Sequence, residues 1–295
     1  MSDQVRIVEV GPRDGLQNEA GIVSLEDKLA LIEQLGKAGL KQIEAGSFVS
    51  PKWVPQMASS AEVFTKLSRR DDICYSALTP NLKGYEAAKS VNVDEVAIFT
   101  AASEGFTQKN INCSIDESIA RFEPLITQAK QDNLRVRAYV SCIIACPYDG
   151  ITSPENVTKV CERLLSMGCY EVSLGDTIGI GTPVQIKTLL SQLLRHFSTN
   201  QLACHFHDTY GQALANQYAA LELGYRTFDT SVAGLGGCPY ATGASGNVST
   251  EDTVYMLQGA GMETGIELDK LIEAGNRICN AIGRTNQSKV ALALK

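Results

Sequence analysis

The chain has 295 residues, 44% of them apolar and 20% charged, the proportions of a soluble globular protein. A net charge of −7 argues against nucleic acid as a partner, and it means that an anionic substrate has to be held by local cations and a metal. No apolar run approaches the ~20 residues of a membrane span, and residues 5–10 already read as structure rather than as a leader, so the expected location is cytoplasmic.

A β–α alternation runs from end to end. Residues 5–10 form an apolar-leaning strand that ends in Gly11-Pro12-Arg13-Asp14-Gly15. Ser24 caps the next helix with Asp27 as its capping-box partner, and Leu25, Leu29 and Ile32 mark the buried face. The second strand, 42–48, carries Glu44; a loop with the only tryptophan, Trp53, leads to a helix over 58–70. Strands follow at 73–78 and 96–100. A polar loop over 101–114 then precedes a long helix to about Asn133. The fifth strand spans 135–144, and Ser153-Pro154 supplies a cap and a first-turn proline for the helix after it. The sixth, 171–174, ends at Gly175-Asp176-Thr177. The seventh covers 202–207 and the eighth 228–232, and two helices follow at about 251–258 and 268–282.

Eight strands, each followed by a helix and with no low-complexity linker between them, predict an α/β fold of the closed (β/α)8 TIM-barrel type. We read one catalytic domain over 1–295, with the barrel over about 5–240 and a lid plus extra C-terminal helices over about 233–290. A doubly wound open sheet is the alternative, but the strand count and the regular helices speak against it. In a barrel the catalytic groups lie at the C-terminal ends of the strands. The polar residues there are Arg13, Asp14, Glu44, Asp176, His205, His207 and the loop after the eighth strand.

Two of the three histidines stand in Cys204-His205-Phe206-His207-Asp208. Side chains two apart on a strand share a face, so His205 and His207 form a bidentate metal grip or, more simply, fill a core. Asp14 is the best carboxylate to join them, and Asn247 could give an amide oxygen; each could equally be a turn residue. Two imidazoles with hard oxygen donors suit Mg²⁺ or Mn²⁺ and leave positions open for substrate. Amidohydrolases also use His-x-His in a barrel, but they typically need further histidines, and only His196 remains. The run Ala233-Gly234-Leu235-Gly236-Gly237-Cys238-Pro239-Tyr240 is no dinucleotide fingerprint, since Pro239 takes the third glycine position. It reads as a mobile lid with Cys238 as a candidate acid or base. Nine cysteines, odd in number and dispersed, suggest reduced thiols, and Cys142 and Cys146 are the only close pair.

These motifs resemble a known family. The run Val10 to Glu19, the run Ser47 to Met57, Ser173-Leu174-Gly175-Asp176-Thr177-Ile178-Gly179, the His205 segment through Asn216, and Gly234 to Asn247 are similar to the signatures of 3-hydroxy-3-methylglutaryl-CoA (HMG-CoA) lyases. Those are barrel metallolyases named for an Asp-Arg-Glu set, here Asp14, Arg13 and Glu44. The resemblance implies a metal-assisted retro-Claisen cleavage of HMG-CoA to acetyl-CoA and acetoacetate, the chemistry of ketone-body formation and leucine degradation. It implies Mg²⁺ or Mn²⁺ on Asp14, His205, His207 and Asn247. Arg13 and Asn247 would contact substrate, and Arg13 would stabilise the enolate oxyanion with Glu44 fixing its fork. Asp14 or His205 would take the hydroxyl proton, Asp176 would contact the hydroxyl or a metal-bound water, and Cys238 or His205 would return a proton to carbon. Glu251 is a further catalytic candidate, with a helix-start charge as its other reading. An acyl-CoA is the expected partner, with no nucleic acid or membrane, and the C-terminal helices offer a homodimer face. Animal mitochondrial members carry a leader and a cysteine-bearing tail that this chain lacks, so targeting and tail-thiol regulation are not expected. The alternatives are a lyase for another branched 3-hydroxyacyl-CoA and an acetyl-CoA-dependent acyltransferase on a 2-oxo acid.

Overall fold

Each barrel strand is a short, mostly apolar run, and each pairs in parallel with its neighbour in sequence. In the computed structural model, which describes residues 3–19, 21–237 and 246–294, they are β1 (Arg6–Glu9), β2 (Gln42–Ser47), β3 (Cys74–Leu78), β4 (Glu95–Ala101), β5 (Arg135–Ser141), β6 (Glu171–Asp176), β7 (Leu202–Phe206) and β8 (Thr227–Thr230). The barrel closes where β8 pairs with β1, from Arg6 opposite Thr227 to Glu9 opposite Thr230. The outward side chains, among them Ile43, Val96, Val172, Leu202 and Phe228, are buried under the ring of helices. Each such side chain removed from water stabilises the fold by about 1.5–3 kcal/mol.

The inside of the barrel is held differently. Arg137 on β5 is buried, its Nε 2.8 Å from Glu171 on β6 and its Nη2 2.7 Å from Asp229 on β8. Arg6 reaches the other oxygen of Glu171. Removing one partner of such a buried pair costs about 3–5 kcal/mol, because the remaining charge is left unpaired. The lower barrel is therefore a charge-matched plug, and the mouth above it is free for chemistry.

Several elements depart from the sequence expectation. The polar stretch 101–114 contains a helix, Glu104–Ile111, capped by Ser103 and closed by Asn112 at φ 51°. β5 stops at Ser141 because Cys142 sits at φ 60°, and a small hairpin pairs Ala145–Cys146 with Gly150–Ile151. The helix expected over 58–70 covers only Ser60–Lys66. Ser24 accepts from the Asp27 amide at 3.0 Å, but Asp27 takes the Ser24 hydroxyl instead of reaching back to its backbone, so the capping box is half-formed. Behind the barrel mouth, Leu268–Ile282 packs its apolar face on Leu25–Lys37 and on the turn Val232–Gly234. A short helix, Lys289–Ala293, follows it. Among the described residues no helix is long and apolar enough to cross a membrane.

Candidate active site

The turn after β1 sets the site. The Val10 carbonyl accepts from the amides of Arg13 (3.1 Å), Asp14 (2.7 Å) and Gly15 (3.1 Å), a wide turn whose last bond spans five residues. Such wide turns re-aim side chains, and this one tips Arg13 and Asp14 into the barrel mouth. Gly15 is required, since a Cβ there would lie 2.6 Å from Ser231 Oγ and 2.7 Å from Leu235 Cβ. Beneath the turn, buried Glu9 accepts from the Gly11 amide (2.7 Å), the Val232 amide (2.9 Å) and the Thr250 hydroxyl (2.7 Å). One carboxylate thus pins the turns after β1 and β8 together, and burial pushes it up to about 7.

His205 and His207 face the same way, as the strand period requires, with their Nε2 atoms 3.2 Å apart. The segment Gly246 to Val248 returns antiparallel along the end of β7: Asp208 N donates to Gly246 O at 2.7 Å and Val248 N to Phe206 O at 3.3 Å. That brings Asn247 beside His207. The Asn247 amide nitrogen donates to Asp14 Oδ2 at 2.8 Å and to Leu235 O at 3.2 Å. One ligand atom each from Asp14, His205 and His207 lies within 4.8 Å of the others.

Arg13 ties this cluster to the barrel wall. Its Nε donates to Glu44 Oε2 at 2.6 Å, its Nη1 to Asp14 Oδ1 at 2.6 Å, and its guanidinium stands 5.5 Å over the Tyr139 ring. Burial works against ionising Asp14, but Arg13 and then His205 outweigh it and hold the carboxyl down to about 2. Burial also disfavours the His205 imidazolium, yet Asp229 and Asp14 raise its pKa above the ordinary value. Burial and the neighbouring His205 drive His207 down to about 4. A neutral His207 and an ionised Asp14 are the states that bind a divalent cation.

The cluster opens into a cleft of about 720 Å³. It is lined by Arg13, Asp14, His205, His207 and Asn247 together with the apolar Val49, Leu78 and Phe99, and Lys109 and Arg121 bring positive charge. The local cations expected from the acidic net charge are therefore present.

A family model described as HMGL-like matches residues 4–278. The chain belongs to the HMGL-like family. It is 58% identical over 290 residues to the mitochondrial hydroxymethylglutaryl-CoA lyase of Macaca fascicularis, covering 98% of this chain and 89% of that protein. It is 56% identical over 291 residues to a 3-hydroxy-3-isohexenylglutaryl-CoA/hydroxy-methylglutaryl-CoA lyase of Pseudomonas aeruginosa, covering 99% and 97%. An HMG-CoA lyase of Acinetobacter baumannii, solved with coenzyme A and 3-methylmalate, superposes with a TM-score of 0.94 at 40% identity, covering 99% of this chain and 96% of that one.

In this HMGL-like chain the sequence-derived residues divide into three groups. Arg13, Asp14, His205, His207 and Asn247 line the cleft together, and Glu44 stands buried behind Arg13. Asp176 and Glu251 are not brought to it. On β6 the inward positions are Ser173 and Gly175, so Asp176 points to the helix side, where its Oδ2 accepts from Gly181 N at 2.8 Å and burial raises it to about 6. Glu251 accepts from the Ala233 amide at 2.8 Å and is fully buried behind the turn after β8; burial pushes it up to about 8. Cys238 and most of the expected lid lie outside the described residues. Sequence reasoning missed Asp229, Ser173, Arg137 and Glu9. The available signal was a charge or hydroxyl at alternate positions of otherwise apolar strands.

Proposed function

We propose that the chain is a carbon–carbon lyase that cleaves HMG-CoA to acetyl-CoA and acetoacetate, with Mg²⁺ or Mn²⁺ held by Asp14, His205, His207 and Asn247. The observation that carries this reading is the convergence of two imidazole nitrogens and an ionised carboxylate at the mouth of a cleft that also holds Arg13. The donor set fits a hard divalent cation: two imidazole nitrogens, one carboxylate and an amide, in a cleft open to substrate. The relatives' names, and the coenzyme A bound in the Acinetobacter baumannii structure, support an acyl-CoA as the substrate.

When bound, the cation acidifies the substrate's tertiary hydroxyl. The chain's own residues then divide the work. Asp14 is the candidate acceptor of the hydroxyl proton, since His205 offers its Nε2 lone pair to the cation. As the C–C bond breaks, its electron pair passes to the acetyl-CoA fragment as a thioester enolate, and the alkoxide becomes the ketone of acetoacetate. Arg13 stabilises the enolate oxygen with an always-charged donor in a water-poor site. Glu44 holds the Arg13 fork at Nε, so that the planar group keeps one orientation. The enolate carbon takes a proton from Cys238. Asp176 and Glu251 enter this scheme as supports for the loops around the site.

Purified protein given HMG-CoA and Mg²⁺ should release acetoacetate, and a chelator should abolish release; no product with either metal would overturn the assignment. A second substrate is favoured by a specific observation. The apolar Val49, Leu78 and Phe99 line the same cleft as the cluster, and a relative at 56% identity is named for an isohexenyl substrate as well. Parallel assays with 3-hydroxy-3-isohexenylglutaryl-CoA separate a narrow from a broad lyase. A homodimer and a cytoplasmic location complete the proposal, and are checked by light scattering and by fractionation.

A further inference from the structure

The charge plug inside the barrel ends directly under His205. Glu171 binds Arg6 with one oxygen and Arg137 Nε with the other, at 2.8 Å. Arg137 then grips Asp229 with two bonds, Nη2 to Oδ1 at 2.7 Å and Nη1 to Oδ2 at 3.1 Å. Asp229 Oδ2 also takes the Ser173 hydroxyl at 2.6 Å and faces His205 Nδ1 at 3.3 Å. Strand register aligns these groups: Arg137 pairs opposite Glu171, and Asp229 opposite His205. All are buried.

We infer that Asp229 is a positioning residue which fixes the tautomer and ring plane of His205, so that the Nε2 lone pair faces the cation site. The inference rests on the reading of His205 as a ligand and deepens it. A carboxylate held by an arginine fork only accepts hydrogen bonds. The proton between it and the imidazole therefore belongs to His205 Nδ1, and the lone pair to Nε2, the atom 3.2 Å from His207 Nε2. Ser173 and Arg137 leave Asp229 Oδ2 no freedom to swing away. Outer partners of this kind typically change metal affinity 10–100-fold when removed. A purely structural Asp229, present only to neutralise Arg137, would leave the imidazole free to hold its proton on either nitrogen.

The full chain, labelled with ¹⁵N-histidine and stripped of metal, tests this directly at a pH where the rings are neutral. With only three histidines, long-range ¹H–¹⁵N spectra assign protonated and bare nitrogens ring by ring, using His196→Gln and His207→Gln for assignment. The expected result is His205 with hydrogen on Nδ1 and a bare Nε2; hydrogen on Nε2 in the wild-type chain overturns the inference, and this measurement needs no folded variant at Asp229. In parallel, Asp229→Asn is titrated with Mn²⁺ by electron paramagnetic resonance. A roughly 10–100-fold weaker dissociation constant is expected, with kcat lowered more than KM is raised. Wild-type Mn²⁺ affinity in the folded variant also overturns it. The tautomer and the Mn²⁺ titration use no substrate. A chain that binds Mn²⁺ in this way but leaves HMG-CoA intact would refute the proposed reaction and leave the role of Asp229 standing.

Discussion

Asn247 Nδ2 stands 2.8 Å from Asp14 Oδ2, joining residues 233 positions apart. The same nitrogen donates to Leu235 O at 3.2 Å, so both of its hydrogens are used and the side-chain oxygen is the atom left for a ligand. Asn247→Ala should therefore weaken Mn²⁺ binding, and it should also cost about 1–3 kcal/mol of stability because the buried Leu235 carbonyl loses its donor. Calorimetric titration checks this, and an unchanged dissociation constant would take Asn247 out of the ligand set.

Arg13 spends Nε on Glu44 and Nη1 on Asp14, and it lines the cleft with what remains of the guanidinium. Lysine carries one compact ammonium and cannot hold both carboxylates while facing substrate. Arg13→Lys should lower kcat by about 10²–10³, the usual cost of losing an oxyanion donor, and leave KM nearly unchanged. Steady-state kinetics at saturating Mg²⁺ decide the matter; near-normal turnover would exclude Arg13 from stabilising the enolate.

Asp176 should behave as a loop anchor. Asp176→Ala leaves the buried Gly181 amide without its acceptor, at a cost of about 1–3 kcal/mol. Thermal unfolding should show the loss, while Mn²⁺ affinity stays at the wild-type value. A variant of wild-type stability that had lost turnover would return Asp176 to the substrate hydroxyl.

Glu251 gives the pH prediction. Burial lifts its carboxyl to about 8, whereas an unfolded glutamate titrates at about 4.3. The stability tied to the neutral form is complete below the unfolded value and is lost as pH rises through the folded one. Glu9, pushed up to about 7, acts in the same direction. The wild-type Tm should fall between about pH 5 and about pH 8, and Glu251→Gln, which keeps an acceptor for the Ala233 amide, should flatten that fall. Equal slopes in the two proteins would show that Glu251 does not titrate in this window.

What could be read from the residues follows from their periodicity. His205 and His207 are two apart, so one strand was enough to put them on one face. Arg13 and Asp14 were found because they follow a strand end, which the barrel rule marks; Glu44 was read there too, although it is the third of the six residues of β2. The same rule also marked Asp176, which does not line the cleft: the rule counts strand ends and ignores parity, and with Ser173 and Gly175 on the inward face the next residue takes the other. Asp229 and Arg137 were invisible for a related reason. A charge inside an apolar strand has no partner until the register of its neighbours is known, and that register depends on closing all eight strands. The helix Glu104–Ile111 escaped notice because its polar sequence buries only Phe106 and Thr107.

The bond between the turn after β1 and the segment after β8 has a consequence for biosynthesis. A ribosome that has delivered Asp14, His205 and His207 has not yet delivered Asn247, and without β8 the sheet is still an open ribbon. The full set of proposed donors for a divalent cation therefore exists only once the segment after β8 has returned to the mouth and the wall has sealed.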